Sequence, residues 1–219
     1  MIEHVITEDG SSSLYVPELD EHYHSSHGAL QEALHVFIDN GFSGVKGREI
    51  KLFEMGFGTG LNALLTMKFG KENAKKIEYH GIEAFPISEE LVKKLNYPEL
   101  VAADLSEEFF KMHDSDWGEL TAISEAFSLK KIHERIEEYD PVHSYFDIVY
   151  FDAFGFRAQE DMWDIGILQK MYEMLKPEGI LVTYAARGQF KRDLKTLGFK
   201  VEALAGPPGK REMTRAVKV

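Results

Sequence analysis

The sequence predicts an α/β fold, a mostly parallel sheet with helices on both faces, preceded by a small N-terminal hairpin extension. Three observations carry that expectation. Short apolar, β-forming segments alternate with segments of helical period along most of the chain. Residues 146–151 (Phe-Asp-Ile-Val-Tyr-Phe) form a nearly continuous apolar run, as a strand covered on both sides requires. The links between segments are short and punctuated by Gly and Pro, which favours direct strand–helix–strand crossovers.

Each element follows from its own residues. Segments 2–7 and 13–16 are β-rich and flank Glu8-Asp9-Gly10-Ser11-Ser12, so they read as a hairpin. Residues 28–39 place Leu30, Leu34, Phe37 and Ile38 at helical spacing. After Gly41 and Gly44, residues 49–55 read as a strand that stops at glycines, and 61–69 resume a helical period. A strand at 77–83 precedes a short helix at 88–95, with Ser88 as its N-cap and Glu90 in its first turn. Residues 98–125 are acidic and helix-leaning and read as an insertion over the ligand edge of the sheet. Beyond the strand at 146–151, a helix at 162–175 ends at Lys176-Pro177-Glu178-Gly179. A strand at 180–184, a helix at 189–197 closed by Gly198, and a strand at 199–204 follow, with 213–219 as a last, antiparallel strand. The chain therefore divides into an extension at 1–45, packed on the core, and a main domain at 46–219.

A chain of 219 residues, 44% of them hydrophobic, buries roughly 70% of its unfolded surface without disulfides or structural metal. The absence of cysteine removes disulfides, thiolate zinc sites and cysteine nucleophiles together. No run of about 18 apolar residues exists, and Met1-Ile2-Glu3-His4 lacks a signal-peptide pattern, so the expected location is the cytoplasm, with no membrane partner. The net charge of −12 argues against a generic polyanion binder. Its distribution is uneven: residues 187–219 hold nine Lys/Arg against three acids, a net of +6 that leaves −18 for residues 1–186. Such a tail is either a local phosphate-binding face or an ordinary solvated helix and loop.

The strongest chemical signal is Glu54-Met55-Gly56-Phe57-Gly58-Thr59-Gly60-Leu61-Asn62. Glycines at 56, 58 and 60 follow a strand and open a helix, so the backbone can turn sharply and approach a ligand closely. The third glycine comes two positions after the second, unlike the dinucleotide fingerprint, and no Gly-Lys-Ser/Thr follows, which excludes a Walker loop. The spacing, with an acid two positions before it, resembles the loop of Rossmann-like, class I S-adenosylmethionine-dependent methyltransferases. Glu83, at the end of the next strand, stands where a carboxylate can accept both ribose hydroxyl protons. Glu54, Glu83 and Asp152 should converge on one crevice at the carboxyl ends of the strands.

Asp152 either acts on the acceptor or caps its strand end as a turn residue. An amine acceptor must arrive unprotonated to attack, and a carboxylate within hydrogen-bond reach can take or orient that proton. Phe154 and Phe156 could floor a base-binding pocket. His22, His24 and His27 are a histidine cluster, but no carboxylate stands at a recognisable spacing, and methyl transfer needs no metal. Local hydrogen bonding or pocket lining is their expected role.

Taken together, Leu52–Asn62, Ile82-Glu83-Ala84-Phe85-Pro86, Phe151-Asp152-Ala153-Phe154 with Asp161-Met162-Trp163, and Gly209-Lys210-Arg211-Glu212-Met213 resemble the methyltransferase domain of MnmC-type tRNA modification enzymes, across about residues 14–215. The resemblance implies methyl transfer from S-adenosylmethionine to the amine of 5-aminomethyl-2-thiouridine at the tRNA wobble position, giving 5-methylaminomethyl-2-thiouridine. By it, Glu54, Gly56, Phe57, Gly58, Gly60, Asn62 and Glu83 bind the cofactor, with Glu134 near the adenine, where the family often has Gly-Asp. Asp152 lies where cofactor and acceptor meet. Tyr23 and His24 correspond to a Tyr-Phe-Ser stretch near the active site, with His24 replacing Phe. Phe154, Lys210, Arg211 and Arg215 are expected on the substrate side, the three basic residues as a docking face for the anticodon stem-loop, whose wobble base would leave its stack. Many relatives carry a flavin-dependent oxidase domain; its absence from this chain implies that a separate enzyme supplies the amine. Two alternatives stay open: a small-molecule N- or O-methyltransferase, and a non-catalytic cofactor-binding partner of a tRNA enzyme.

Overall fold

A computed structural model describes residues 2–219, so Met1 of the expected 1–45 extension lies outside the described residues. The N-terminal hairpin pairs β1 (Glu3–Ile6) with β2 (Ser12–Val16), and a two-residue β3 (Glu21–His22), unforeseen from sequence, adds to the other edge of β2. The segment read as one helix at 28–39 is α1 (Ala29–Ala33) continued by a π-helical stretch, Leu34–Asp39.

The main sheet is built from β4 (Glu49–Met55), β5 (Lys76–Ile82), β6 (Leu120–Ala122), β7 (Phe127–Ile132), β8 (Phe146–Phe151), β9 (Leu175–Thr183), β10 (Phe199–Ala205) and β11 (Glu212–Lys218), in the order β10-β11-β9-β8-β4-β5-β7-β6. The five central strands are parallel, β6 and β11 run opposite to them, and β10, antiparallel to β11, points the same way as the central strands. From β4 the chain builds outward through β5 and β7, then returns to β8 on the opposite side. The carboxyl ends of β4 and β8 thus form the switch point at which open α/β sheets bind ligands.

Alternation along the strands divides the core between the two faces. Leu52 and Tyr150 pack toward α1, the π-helical stretch and α2 (Leu61–Glu72), whereas Phe53 and Phe151 pack toward α6 (Ile165–Met174) and α7 (Gly188–Thr196).

Three differences from the sequence-based expectation have local causes. The stretch 98–125, together with α3 (Glu89–Val92), is the crossover from β5 to β7, carrying α4 (Tyr97–Val101) and α5 (Ser106–Asp114). The alternation gives it no place because β7 is hard to recognise: Lys130 and Lys131 interrupt its apolar pattern, yet Lys131 is buried. The helix expected at 162–175 is a 3-10 turn at Glu160–Trp163 followed by α6, separated by the extended backbone of Asp164. Finally, Lys176-Pro177-Glu178-Gly179 belongs to β9, where a register shift against β8 accommodates Glu178 at a φ of 63°. Among the described residues, no helix is long and apolar enough to cross a membrane.

Candidate active site

The glycine turn between β4 and α2 is shaped by close approaches that side chains would obstruct. Gly56, Gly58 and Gly60 have φ values of 91°, 51° and 74°. A Cβ on Gly56 would come within 2.5 Å of the Asp152 carbonyl oxygen, and one on Gly60 within 2.9 Å of His113 Nε2. The backbone N–H groups of Gly56 and Phe57 donate to the Ile82 carbonyl, fastening the turn to the end of β5. Just beyond β5, Glu83 accepts the Gly58 N–H through Oε2 at 3.0 Å and the Phe85 N–H through Oε1 at 2.9 Å. This fixes the carboxylate at the rim, and each oxygen keeps acceptor capacity for a ligand hydroxyl.

Behind the turn lies a polar bridge. The Asn62 amide donates from Nδ2 to Glu54 Oε1 and to Asp152 Oδ2, both at 2.9 Å. Two carboxylates on one side of the amide fix its orientation and leave Oδ1 turned the other way. Asn62 Oδ1 and Glu54 Oε2 are buried without a hydrogen-bond partner among the described residues. Burial is the main cause that raises Glu54 well above the usual carboxylate range, assisted by the charges of Asp152 and Glu83. Asp152 is pushed up to about 7, first by burial and then by the charge of Glu32; Asn62 and Lys210 act in the opposite direction.

A cavity of about 440 Å³ opens over this bridge, within the range of small-molecule sites. Of the expected residues, it is lined by Tyr23, His24, Gly56, Phe57, Gly58, Asn62, Glu83, Glu134, Asp152, Phe154 and Lys210. Glu54 sits beneath the lining, while Gly60 caps α2 in the left-handed conformation. The ring of Tyr23 lies edge-on to Phe154 at 5.1 Å and about 3.2 Å from where a Gly58 Cβ would stand. Burial lowers His24 to about 4, so it is neutral at physiological pH. Phe156, expected as part of a floor, stacks instead on Trp163 at 4.2 Å.

The basic group splits. Lys210 turns into the cavity, where its ammonium donates to Glu32 and lies 3.7 Å from the Tyr184 ring centroid. Arg211 is exposed on the turn beside it. Arg215 is paired with Glu202 of β10 at 2.9 Å, outside the cavity lining. The histidines also separate: His22 lies against Tyr15 and lines the cavity with His24, whereas His27 meets Glu8 outside it.

Of the lining residues that sequence reasoning misses, Glu32 and Tyr184 bear most directly on the site. Glu32 is 7% exposed on α1 and also accepts the Ser25 N–H at 2.9 Å; an acid flanked by the buried Ala29, Ala33 and Val36 is its signal. Tyr184 follows β9, and its hydroxyl donates to the Ala153 carbonyl at 2.7 Å. The rule that sites gather at strand carboxyl ends would have found it.

The arrangement can cradle a nucleoside by backbone and carboxylate, and present a base to an acceptor. A family model described as S-adenosyl-L-methionine-dependent methyltransferase matches residues 101–219. The chain is 29% identical, over an alignment of 243 residues, to the tRNA 5-methylaminomethyl-2-thiouridine biosynthesis bifunctional protein MnmC of Cupriavidus metallidurans, covering 98% of this chain and 33% of that protein. The protein of the same name from Leptospira interrogans serovar copenhageni is 29% identical over 212 residues, covering 90% of this chain and 32% of its own. The chain thus spans about a third of the length of these relatives. The crystal structure of MnmC2 from Aquifex aeolicus superposes with a TM-score of 0.72 at 25% identity, covering 99% of this chain and 70% of that one.

Proposed function

Because the chain belongs to the S-adenosyl-L-methionine-dependent methyltransferase family, we propose that it methylates the primary amine of 5-aminomethyl-2-thiouridine at the tRNA wobble position, giving 5-methylaminomethyl-2-thiouridine. The observation that carries this reading is Asp152: a carboxyl with raised proton affinity, held by Asn62 at the junction of the glycine turn and the open cavity. The relatives' names supply the substrate, and their alignment with nearly all of this chain supports carrying it over.

The residues present fit the cofactor, S-adenosylmethionine. The turn at Gly56 and Gly58 admits a ligand against bare backbone, Glu83 offers its oxygens to ribose hydroxyls, and Asn62 Oδ1 is a buried acceptor still to be satisfied. Glu134 borders the adenine end, and Glu54 holds Asn62 in place. When bound, the cofactor supplies an electrophilic methyl group on a sulfonium. The protein must then orient a neutral amine toward it and exclude water, which makes catalysis chiefly a matter of positioning. Asp152 takes the proton from the arriving ammonium, and Tyr23 and Phe154 give the base an aromatic wall. His24, neutral, completes the inner wall, and the 1–45 segment acts as a cover on the acceptor end. The reaction belongs to the cytoplasm, where tRNA is matured.

Purified protein, labelled cofactor and tRNA bearing the aminomethyl nucleoside test the reading directly. Label should enter the wobble nucleoside; an unlabelled nucleoside with cofactor bound removes the substrate. The net charge of −12 favours a second reading, a small-molecule N- or O-methyltransferase, which requires that tRNA leave turnover of small amines unaffected.

A further inference from the structure

Lys210 brings a permanent cation into the pocket where a cationic substrate would have to enter. On charge alone this is counterproductive: an ammonium repels an incoming ammonium, and a lysine free to reach Asp152 would convert a base into a salt-bridged, weakly basic carboxylate. The structure contains the remedy. Glu32 rises from α1 on the opposite wall, is nearly fully buried, and takes the Lys210 ammonium while its second oxygen is anchored by the Ser25 N–H at 2.9 Å. The same ammonium rests on the Tyr184 ring, whose hydroxyl is tied to the Ala153 carbonyl, one residue from Asp152.

We propose that Glu32 is a positioning residue that sequesters Lys210 from Asp152, keeping Asp152 available as proton acceptor for a protonated amine. The inference deepens the amine-methylation reading and rests on it. With Glu32 and Lys210 neutralising each other, the carboxyl of Asp152 is not matched by a cation of its own. The proton passes from the ammonium nitrogen to an Asp152 oxygen, the nitrogen keeps the electron pair, and Asp152 later returns the proton to water. The Glu32–Lys210 pair stays balanced beside the neutral amine. Other groups also face Asp152 and set its baseline: Glu54 from β4, Tyr79 from β5, Asn62 from α2, and Tyr184 after β9, beside which Glu21 of β3 adds a further negative charge.

Two measurements test this on full-length protein. The first is the carbon-13 titration of the Asp152 carboxyl without cofactor or RNA. Its midpoint should fall by about one pH unit in Glu32→Gln, where the lost repulsion of Glu32 and the freed attraction of Lys210 act together, and rise by about as much in Lys210→Met. The second is the pH dependence of methylation. Glu32→Gln should lose at least tenfold in turnover at pH 7, and adding Lys210→Met should recover most of it, because no cation then remains to capture Asp152. Lys210→Met alone should move the acid limb upward and regain activity at higher pH. The Gln substitution keeps the acceptor for Ser25, and thermal melting reports whether each variant folds. Midpoints moving in the same direction, or a double variant no better than Glu32→Gln, would overturn the proposal. Inactivity of the wild type on aminomethyl-tRNA would instead strike the substrate assignment, while the carboxyl titrations would still decide whether the pair controls Asp152.

Discussion

Asp152 and Glu54 share the amide nitrogen of Asn62, and burial, then the charge of Glu32, lifts the proton affinity of Asp152 toward neutrality against that hydrogen bond. The raised proton affinity has a stability counterpart. A carboxyl held at about 7 in the folded state binds its proton where the unfolded chain, at its ordinary 3.8, has released it. Stability from this group is therefore complete below about pH 4 and is lost as pH rises through about 7. Asp152→Asn should accordingly melt above the wild type at pH 8, with the difference closing below pH 4; a variant that melts lower at pH 8 would contradict this. The same variant should hold the cofactor within about tenfold of wild type yet lose on the order of a hundredfold or more in turnover. Equal losses in calorimetric affinity and in rate would make Asp152 primarily a cofactor ligand. His24 and His113 work in the other direction. Burial holds both at about 4, so the folded state resists protonating them and stability rises with pH between about 4 and 6.5. Their contribution should appear as an acid-side fall in melting temperature that His24→Gln reduces.

The β4–α2 turn shows how little tolerance a strand-to-helix junction has when a second strand end presses against it. Gly56→Ala combines a positive φ with a Cβ 2.5 Å from the Asp152 carbonyl, so β8 or the turn must move. A loss of about 1–3 kcal/mol in unfolding free energy is expected from the strain, together with at least a tenfold weaker cofactor affinity in calorimetry. An alanine variant that binds as tightly as wild type would show that the close approach is dispensable. This turn is legible in the sequence because three glycines at alternate positions declare a backbone requirement. So are β4 and β8, whose apolar residues state their burial openly. β7 is not, because Lys131 is buried by three-dimensional company, its ammonium donating to the His113 carbonyl beside the Trp117 ring. Composition along one strand cannot announce partners that another crossover brings. Glu32 illustrates the same limit: its neighbours in sequence mark a buried helix face, but the cation that makes its burial tolerable comes from the β10–β11 turn.

Across the whole molecule, acids are in surplus over residues 1–186 and bases beyond them. Arg187, at the N-cap of α7, is exposed, lies 5.1 Å from the Phe156 ring and meets the exposed Glu160 carboxylate only loosely, at 4.0 Å. Lys191 of α7 is committed to Glu212 at 2.7 Å, whereas Arg211 is exposed. For the RNA reading, Arg187→Glu with Arg211→Glu should weaken tRNA binding and flatten its log–log salt dependence by roughly 0.7–0.9 for each phosphate no longer neutralised. Arg215→Glu should leave the salt slope unchanged, since its guanidinium is already committed to Glu202. If Arg215 alone altered the slope, the docking face would lie over the β10–β11 sheet instead. The tail's sign is visible in the sequence; which of its cations face outward is decided by pairing across strands. One property of the sheet order reaches into biosynthesis. β11 inserts between β9 and β10, and the turn before it delivers Lys210 to a wall that Glu32 has occupied since the first helix. A nascent chain emerging from the ribosome can close its glycine turn early, yet Glu32 must await its counter-ion until the final hairpin folds back. The charge balance of the pocket is thereby set by contacts made across nearly the full span of the described residues.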